Sequence, residues 1–181
     1  MLRFCIIFCG IFFFEHKFYA QNKPFDSAQF AHFDCGIIQT KQKLDHRFFA
    51  SVPAISLRID NEEQMYASFQ LGKRKNKIYL YLKLLGEDIC INNDKNVDVY
   101  FKTGEVTVLK NEFPINCESL FARQLSKKEL KKFKENEITQ LQIYTYKKNY
   151  EIYLNEVHRQ DILHYINCLS AYKIRKGEIH K

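Results

Sequence analysis

Apolar and polar residues alternate along most of the chain after residue 50, a pattern typical of strands that bury one of their two faces. The alternation is clearest in residues 78–84, where isoleucine and leucine alternate with tyrosine and lysine. It predicts seven strands, over residues 55–59, 65–71, 78–84, 97–101, 106–108, 141–146 and 150–154. Short turns such as Asp60-Asn61 and Thr103-Gly104 connect them, so we expect an antiparallel sheet.

Two segments show helical features instead. Ser126 and Glu129 have the spacing of a capping box, and Leu125 and Leu130 occupy the positions of a hydrophobic staple. The helix that they start lies between the fifth and sixth predicted strands. A second, amphipathic helix begins after Asn155 and closes the domain. This order predicts an α+β fold of mainly antiparallel strands, with a pleckstrin-homology-like barrel and a flatter sandwich of sheet and helix as alternatives.

The first twenty residues have the features of a secretory signal peptide. Arg3 supplies positive charge before the apolar run Phe4–Phe14, and Ala20 marks a cleavage site. The run has 11 residues, too few to span a bilayer as a helix, and a buried N-terminal helix is the alternative. We divide the chain into a signal peptide at 1–20, an N-terminal arm at 21–50 with one strand near Gly36–Thr40, a single β-rich domain at 51–172 and a basic tail at 173–181.

The net charge is strongly positive, at +7. In an exported protein this charge favours anionic envelope partners such as cell-wall polymers, acidic glycans or lipid headgroups, or a protein partner, and we expect no nucleic-acid partner. Lysines that serve only solubility are the alternative. No transmembrane segment follows the predicted leader, so the expected location is the periplasm, the cell envelope or the medium.

Four cysteines remain after the predicted leader: Cys35, Cys90, Cys117 and Cys168. An even number in an oxidising compartment predicts two disulfides, with three connectivities open and buried free thiols as the alternative. Their wide spacing argues against a zinc or thioredoxin-type site. Cys117 and Cys168 both fall at edges of predicted helical segments, so we expect these two to pair.

The sequence contains no motif that assigns catalysis, a metal or a cofactor. His158 and His164 lie on different sides of the second helix, one packed and one solvated, so they do not share a metal. The acidic loop Glu87–Asp94 lacks the ligand spacing of a calcium loop. We therefore expect no metal and no cofactor, and we assign no catalytic residue.

The second face of the predicted strands is rich in tyrosine and basic residues. Such residues suit a binding surface that is partly exposed to solvent. The candidate ligand-binding residues are Tyr66, Tyr79, Tyr81, Tyr100, Arg58, Lys83 and Lys102, with Tyr144, Tyr146 and Tyr153 beside them. The alternative is that the Phe-rich arm, the helices or the other half of the sheet covers this face. The basic run Gly72–Lys77 is interpreted as a solvated turn, or as a lip for an anionic ligand.

Several segments of low specificity carry a resemblance to other proteins: Lys77–Leu84 (KIYLYLKL), Val97–Gly104 (VDVYFKTG), the helix start Leu125–Leu130, the closing segment Ile166–Leu169 and the leader end Phe18–Gln21. From about Ile37 to Leu169 the chain resembles small exported β-rich domains of unknown function in Bacteroidetes-type bacteria. The resemblance implies an envelope location and no known activity, and it assigns no functional residue.

These observations favour a non-catalytic binding domain of the cell envelope that contacts its ligand through the tyrosine-rich face. One alternative is a periplasmic inhibitor of a lysozyme or protease, with a rigid loop at Gly72–Lys77 or Glu87–Lys95 as its contact. Another alternative is a hydrolase whose catalytic residues are far apart in the sequence and come together only in the folded structure.

Overall fold

Ten strands and two helices make up the described part of the chain. The computed structural model describes residues 35–41, 48–113 and 117–174, all of them within the unit 34–181. The elements are β1 (Ile38–Lys41), β2 (Phe48–Ser51), β3 (Ile55–Arg58), β4 (Tyr66–Arg74), β5 (Lys77–Leu85), β6 (Asn96–Phe101), β7 (Val106–Lys110), β8 (Leu120–Gln124), α1 (Lys127–Glu135), β9 (Ile138–Tyr144), β10 (Asn149–Tyr153) and α2 (Glu156–Ala171). The predicted signal peptide, the first part of the arm and the end of the basic tail lie outside the described residues. No described helix has both the length and the apolarity needed to cross a membrane.

The paired strands are antiparallel, as predicted, but they form two sheets. The six-stranded sheet has the order β1-β2-β4-β5-β8, with β3 also paired to β4, and the four-stranded sheet has the order β10-β9-β6-β7. The prediction of seven strands is wrong because short strands such as β2 (FFAS) and β8 (LFARQ) show no alternation. The described strands form no closed barrel, and α1 lies between β8 and β9 rather than between the fifth and sixth strands.

A single apolar core contains the inward-facing side chains of both sheets and of both helices. From α2, Ile162, Ile166 and Leu169 are buried in it. From α1, the ring of Phe133 packs edge to face on Phe101, with the ring centres 5.6 Å apart. The C-terminal helix therefore covers the core, as its amphipathic pattern predicts.

The start of α1 confirms the predicted capping box. The Ser126 hydroxyl accepts from the Glu129 N–H at 3.2 Å, and the Glu129 carboxylate accepts from the Ser126 N–H at 2.6 Å. Burial acts to raise the pKa of Glu129, but its hydrogen bonds to Ser126 and the nearby Arg123 guanidinium outweigh burial and hold that pKa below its ordinary value. The helix start is thus fixed by local sequence alone.

The C-terminal end of α2 is fixed to the six-stranded sheet by a buried lysine. The Lys73 ammonium donates to three carbonyl oxygens, those of Leu169, Ser170 and Tyr172, at 2.7, 3.2 and 2.7 Å. The last turn of α2 contains no basic residue, so Lys73 supplies the positive charge that a helix C-terminus favours. Burial lowers the pKa of Lys73, and the charge of Lys134 adds to that effect.

The interpretation of Gly72–Lys77 as a solvated turn holds for Lys75, Asn76 and Lys77, which are exposed, and is wrong for Gly72 and Lys73, which are buried. β4 continues to Arg74, and only Lys75 and Asn76 form the turn into β5. The run contains a buried glycine and a buried lysine, and neither belongs to a lip for an anionic ligand.

The described residues form two disulfides, the number predicted, but the expected pairing is wrong. Cys35 is bonded to Cys168, and Cys90 is bonded to Cys117. Cys117 precedes a strand, β8, rather than a helix, and the pairing of β8 with β5 brings it beside Cys90. The bond between Cys35 and Cys168 ties the beginning of the described chain to α2.

Candidate ligand-binding face

The outward face of the six-stranded sheet carries five of the seven candidate ligand-binding residues. Arg58 lies opposite Tyr66 in the pairing of β3 with β4. Tyr79, Tyr81 and Lys83 occupy alternate positions along β5. Lys83 lies two residues along β5 from Leu85, the residue that pairs with Tyr66. Opposite residues in an antiparallel pair share a face, as do alternate residues along one strand. The register therefore places these five side chains together.

No acidic residue lies on this outward face among the described strands. Its positions are Ile38, Thr40, Phe49, Ser51, Ser56, Arg58, Tyr66, Ser68, Gln70, Gly72, Arg74, Lys77, Tyr79, Tyr81, Lys83, Leu85, Leu120, Ala122 and Gln124. We call the part formed by Phe49, Arg58, Tyr66, Lys77, Tyr79, Tyr81 and Lys83 the aromatic–basic face. Exposed cations on a face whose strand positions carry no carboxylate make the local electrostatic potential positive, although Glu87, Asp88 and Glu118, which line one depression with Lys83, weaken it at the end of β5.

A glycine in β4 makes room for an aromatic cluster in this face. A Cβ atom at Gly72 would lie 2.2 Å from Cζ of Phe49. The Phe49 ring contacts Tyr81 edge to face at 6.0 Å, and the rings of Tyr81 and Tyr79 stack at 6.3 Å with 23° between their planes. Phe49 is not among the residues predicted for this face from the sequence. Gly72 is the sequence signal for it, because a glycine inside a strand often marks a close approach of another group. One phenylalanine of the predicted arm thus covers part of the face.

The aromatic–basic face is partly open to solvent. Arg58, Lys77 and Lys83 are exposed, and the two tyrosines of β5 are half-buried. Burial raises the pKa of Tyr81, an effect that Arg74 opposes, so the Tyr81 hydroxyl stays neutral at physiological pH. The arrangement offers flat rings, hydroxyl groups and charged side-chain ends to a ligand.

The other two candidate residues, Tyr100 and Lys102, belong to the four-stranded sheet and the turn that follows β6. Both have polar partners: the Tyr100 hydroxyl donates to Oε1 of Gln142 at 3.1 Å, and Lys102 pairs with Glu137 at 3.2 Å. The same sheet and its turns hold Tyr144, Tyr146 and Tyr153. The tyrosines of the sequence pattern are thus divided between two sheets.

Tyr144 has the largest tyrosine pKa shift in the described chain. Burial, a 2.9 Å hydrogen bond from its hydroxyl to Asp98 and the charge of that carboxylate raise the pKa of Tyr144 to about 12. The folded state keeps the proton up to that pH, whereas the unfolded chain releases it near pH 10. The contribution of Tyr144 to stability is therefore complete below pH 10 and is lost as the pH rises toward 12.

We expect Tyr144→Phe to lose stability less steeply than the wild type between about pH 10 and pH 12, because its side chain has no proton to release. Urea unfolding midpoints across that range measure the slope. Tyr66→Phe, which removes an exposed hydroxyl, is the matched control. A slope in Tyr144→Phe equal to that of the wild type would contradict the assigned role of the hydrogen bond to Asp98.

One group of metal-ligating residues converges in the described chain. Sγ of Cys35, Sγ of Cys168 and a ring nitrogen of His164 lie within 4.8 Å of one another, and Nε2 of His164 is 3.4 Å from Sγ of Cys168. Because the two sulfurs are bonded to each other, neither is a thiolate that could bind a metal. The prediction of a solvated His164 is wrong: the side chain is half-buried against the disulfide.

An open depression of about 440 Å³ lies at the end of β5, lined by residues 83–88 and 117–119. Its lining includes the carboxylates of Glu87, Asp88 and Glu118. Lys83 belongs to this lining as well as to the aromatic–basic face, so the acidic rim adjoins that face at the end of β5 and weakens the positive potential there.

Comparison with known proteins gives no match: no family model, no curated protein and no solved structure is similar to this chain. The case for a function therefore rests on the geometry and chemistry of its own residues.

Proposed function

We propose that this domain is exported and binds an acidic polysaccharide of the cell envelope through the aromatic–basic face. The observation that carries the proposal is an aromatic cluster flanked by exposed cations, with no acidic residue on that face of the described strands. The two disulfides support export, since such bonds persist in oxidising compartments.

Each part of the face suits one part of an acidic sugar chain. The rings of Tyr79 and Tyr81 offer apolar surfaces to pyranose rings, while their hydroxyl groups hydrogen-bond at the edge. Arg58 and Lys83 lie on the strands at either side of β4 and are offset by two residues along the strand direction, so their backbones are about 12 Å apart. Cations at that separation fit charges spaced along a polymer better than a single small anion.

Replacing Arg58 and Lys83 together by glutamine is expected to weaken binding to a polyuronate about tenfold at low ionic strength. Each exposed ion pair contributes up to about 1 kcal/mol, and 1.4 kcal/mol corresponds to a factor of ten in affinity. Titration calorimetry with a polyuronate oligosaccharide measures the change. The loss is expected to shrink as salt is added, because salt screens exposed charges.

The matched control replaces Lys127 and Lys128 by glutamine, two exposed lysines at the start of α1. It removes the same net charge from a different surface and is expected to retain the wild-type affinity. An equal loss of affinity in both variants would show that binding results from unspecific attraction by the net charge, which would contradict the proposal. So would equal affinity of the wild type for a neutral dextran.

One observation favours a second candidate, an inhibitor of an envelope enzyme. The disulfide between Cys90 and Cys117 pins the loop Glu87–Lys95, in which Ile89 and Ile91 are buried and Asp94 is exposed. A loop held in this way can insert into a cleft at little conformational cost. Inhibition of a purified lysozyme or protease that disappears on reduction of this disulfide would favour the second candidate over the first.

A further inference from the structure

A histidine lies against one of the two disulfides. His164 and Cys168 are four residues apart on α2, so their side chains lie on the same side of the helix. Nε2 of His164 is 3.4 Å from Sγ of Cys168, and both residues are half-buried, as is Cys35. A disulfide sulfur carries no hydrogen, so the ring nitrogen is the donor in this contact. The imidazole therefore directs a proton at one sulfur of the bond.

This contact suits thiol–disulfide exchange. In that reaction an external thiolate attacks one sulfur, and the other sulfur leaves with the electron pair of the broken bond. Departure is faster when the negative charge on the leaving sulfur is stabilised. An imidazole takes up and releases protons near neutral pH. Because His164 makes its hydrogen-bond contact with Cys168, Cys168 is the sulfur that leaves and Cys35 is the sulfur that is attacked.

We propose that the bond between Cys35 and Cys168 opens and closes by exchange with a small-molecule thiol, and that His164 is the acid–base group of this reaction. The thiolate attacks Sγ of Cys35 and forms a new disulfide with it. The old bond breaks, and Sγ of Cys168 leaves with the electron pair and takes the proton from Nε2 of His164. The imidazole regains a proton from water, which had received the proton of the attacking thiol. The products are a mixed disulfide at Cys35 and a thiol at Cys168.

The other disulfide has different surroundings. Cys117 lines the open depression at the end of β5 together with the carboxylates of Glu87, Asp88 and Glu118. Carboxylates repel an approaching thiolate and destabilise negative charge on a leaving sulfur. The described histidines both lie on α2. The described chain therefore combines one disulfide that is suited to exchange with one that resists it.

His164 changes the rate of exchange and not its equilibrium. The group that donates a proton when the bond opens accepts it when the bond closes, so opening and closing are accelerated equally. The equilibrium depends on how much the closed bond stabilises the fold. The exchange reaction does not depend on the proposed function, because α2 forms no part of the aromatic–basic face.

Reaction of the folded full chain with excess glutathione, after alkylation of free thiols, tests the proposal. Samples are quenched in acid and mapped by peptide mass. The bond between Cys35 and Cys168 is expected to open about tenfold faster than the bond between Cys90 and Cys117, and glutathione is expected on Cys35. Equal rates, earlier opening of the bond between Cys90 and Cys117, or glutathione on Cys168 overturns the proposal.

His164→Gln separates an acid–base role from a structural one, since glutamine keeps a hydrogen-bonding side chain but does not exchange a proton near neutral pH. Opening with glutathione and closing with oxidised glutathione are both expected to slow about tenfold, with an unchanged fraction of closed bond at equilibrium. A disturbed fold would instead expose both disulfides and speed their opening. His158→Gln, the same substitution elsewhere on α2, is the matched control and is expected to keep the wild-type rates. Unchanged or faster opening in His164→Gln overturns the proposal.

Discussion

Replacing Cys35 and Cys168 by serine is expected to lower the free energy of unfolding by about 5 kcal/mol. The disulfide joins residues 133 positions apart, and the conformational entropy that the unfolded chain regains grows with the logarithm of that separation. Domains of this kind are stable by about 5–15 kcal/mol, so the variant loses a third or more of its stability. Urea unfolding without reductant measures the loss.

The second disulfide provides the matched comparison. Cys90 and Cys117 are 27 positions apart, so their replacement by serine is expected to cost about 3.5 kcal/mol. The reverse order of the two losses would contradict the assigned pairing. A non-reducing digest that recovers Cys117 linked to Cys168 would contradict it directly.

Lys73→Met is expected to lower the free energy of unfolding by about 3 kcal/mol. Methionine has a similar length, but it leaves the carbonyl oxygens of Leu169, Ser170 and Tyr172 without their donor. Hydrogen bonds that involve a charged group contribute about 1.5–3 kcal/mol each, and the cost of burying the Lys73 ammonium, which methionine avoids, offsets part of their sum. The loss is concentrated at one end of α2, so faster hydrogen exchange of the last-turn amides should accompany the global destabilisation.

Lys83→Met tests whether this effect belongs to the buried site. Lys83 lies on the outward side of the same sheet and is exposed, so its replacement is expected to change stability by no more than about 0.5 kcal/mol. Equal destabilisation by the two substitutions, or unchanged exchange at the end of α2 in Lys73→Met, would show that Lys73 does not cap the helix.

Alternation predicts a strand well only where one face is buried and the other is open. β5 follows this rule and was identified from sequence. β8 does not, because Ala122 lies outward yet is buried opposite Tyr81, beside the inward Phe121. For Lys73 the local sequence gives the wrong environment. Its neighbours in sequence predict a solvated turn, whereas the side chain is buried and its carbonyl acceptors lie almost a hundred residues away, at the end of α2.

The candidate site also shows that alternation alone does not predict which strands become neighbours. The sequence assigns Tyr79 and Tyr100 to outward positions of their strands, and the structure places them on two different sheets. Alternation sets the face of a strand, but pairing between distant strands decides which faces are joined. The cysteine pairing depends on the same information, since Cys117 meets Cys90 only once β8 lies beside β5.

The central claim is that the aromatic–basic face binds an acidic polysaccharide, and NMR titration of the labelled protein with a polyuronate oligosaccharide tests it most directly. The account predicts shift changes centred on Arg58, Tyr79, Tyr81 and Lys83, which weaken as salt is added. Resonances of the four-stranded sheet should remain unchanged. Shift changes centred on the four-stranded sheet or on the loop Glu87–Lys95, or no change at millimolar oligosaccharide, would contradict the claim.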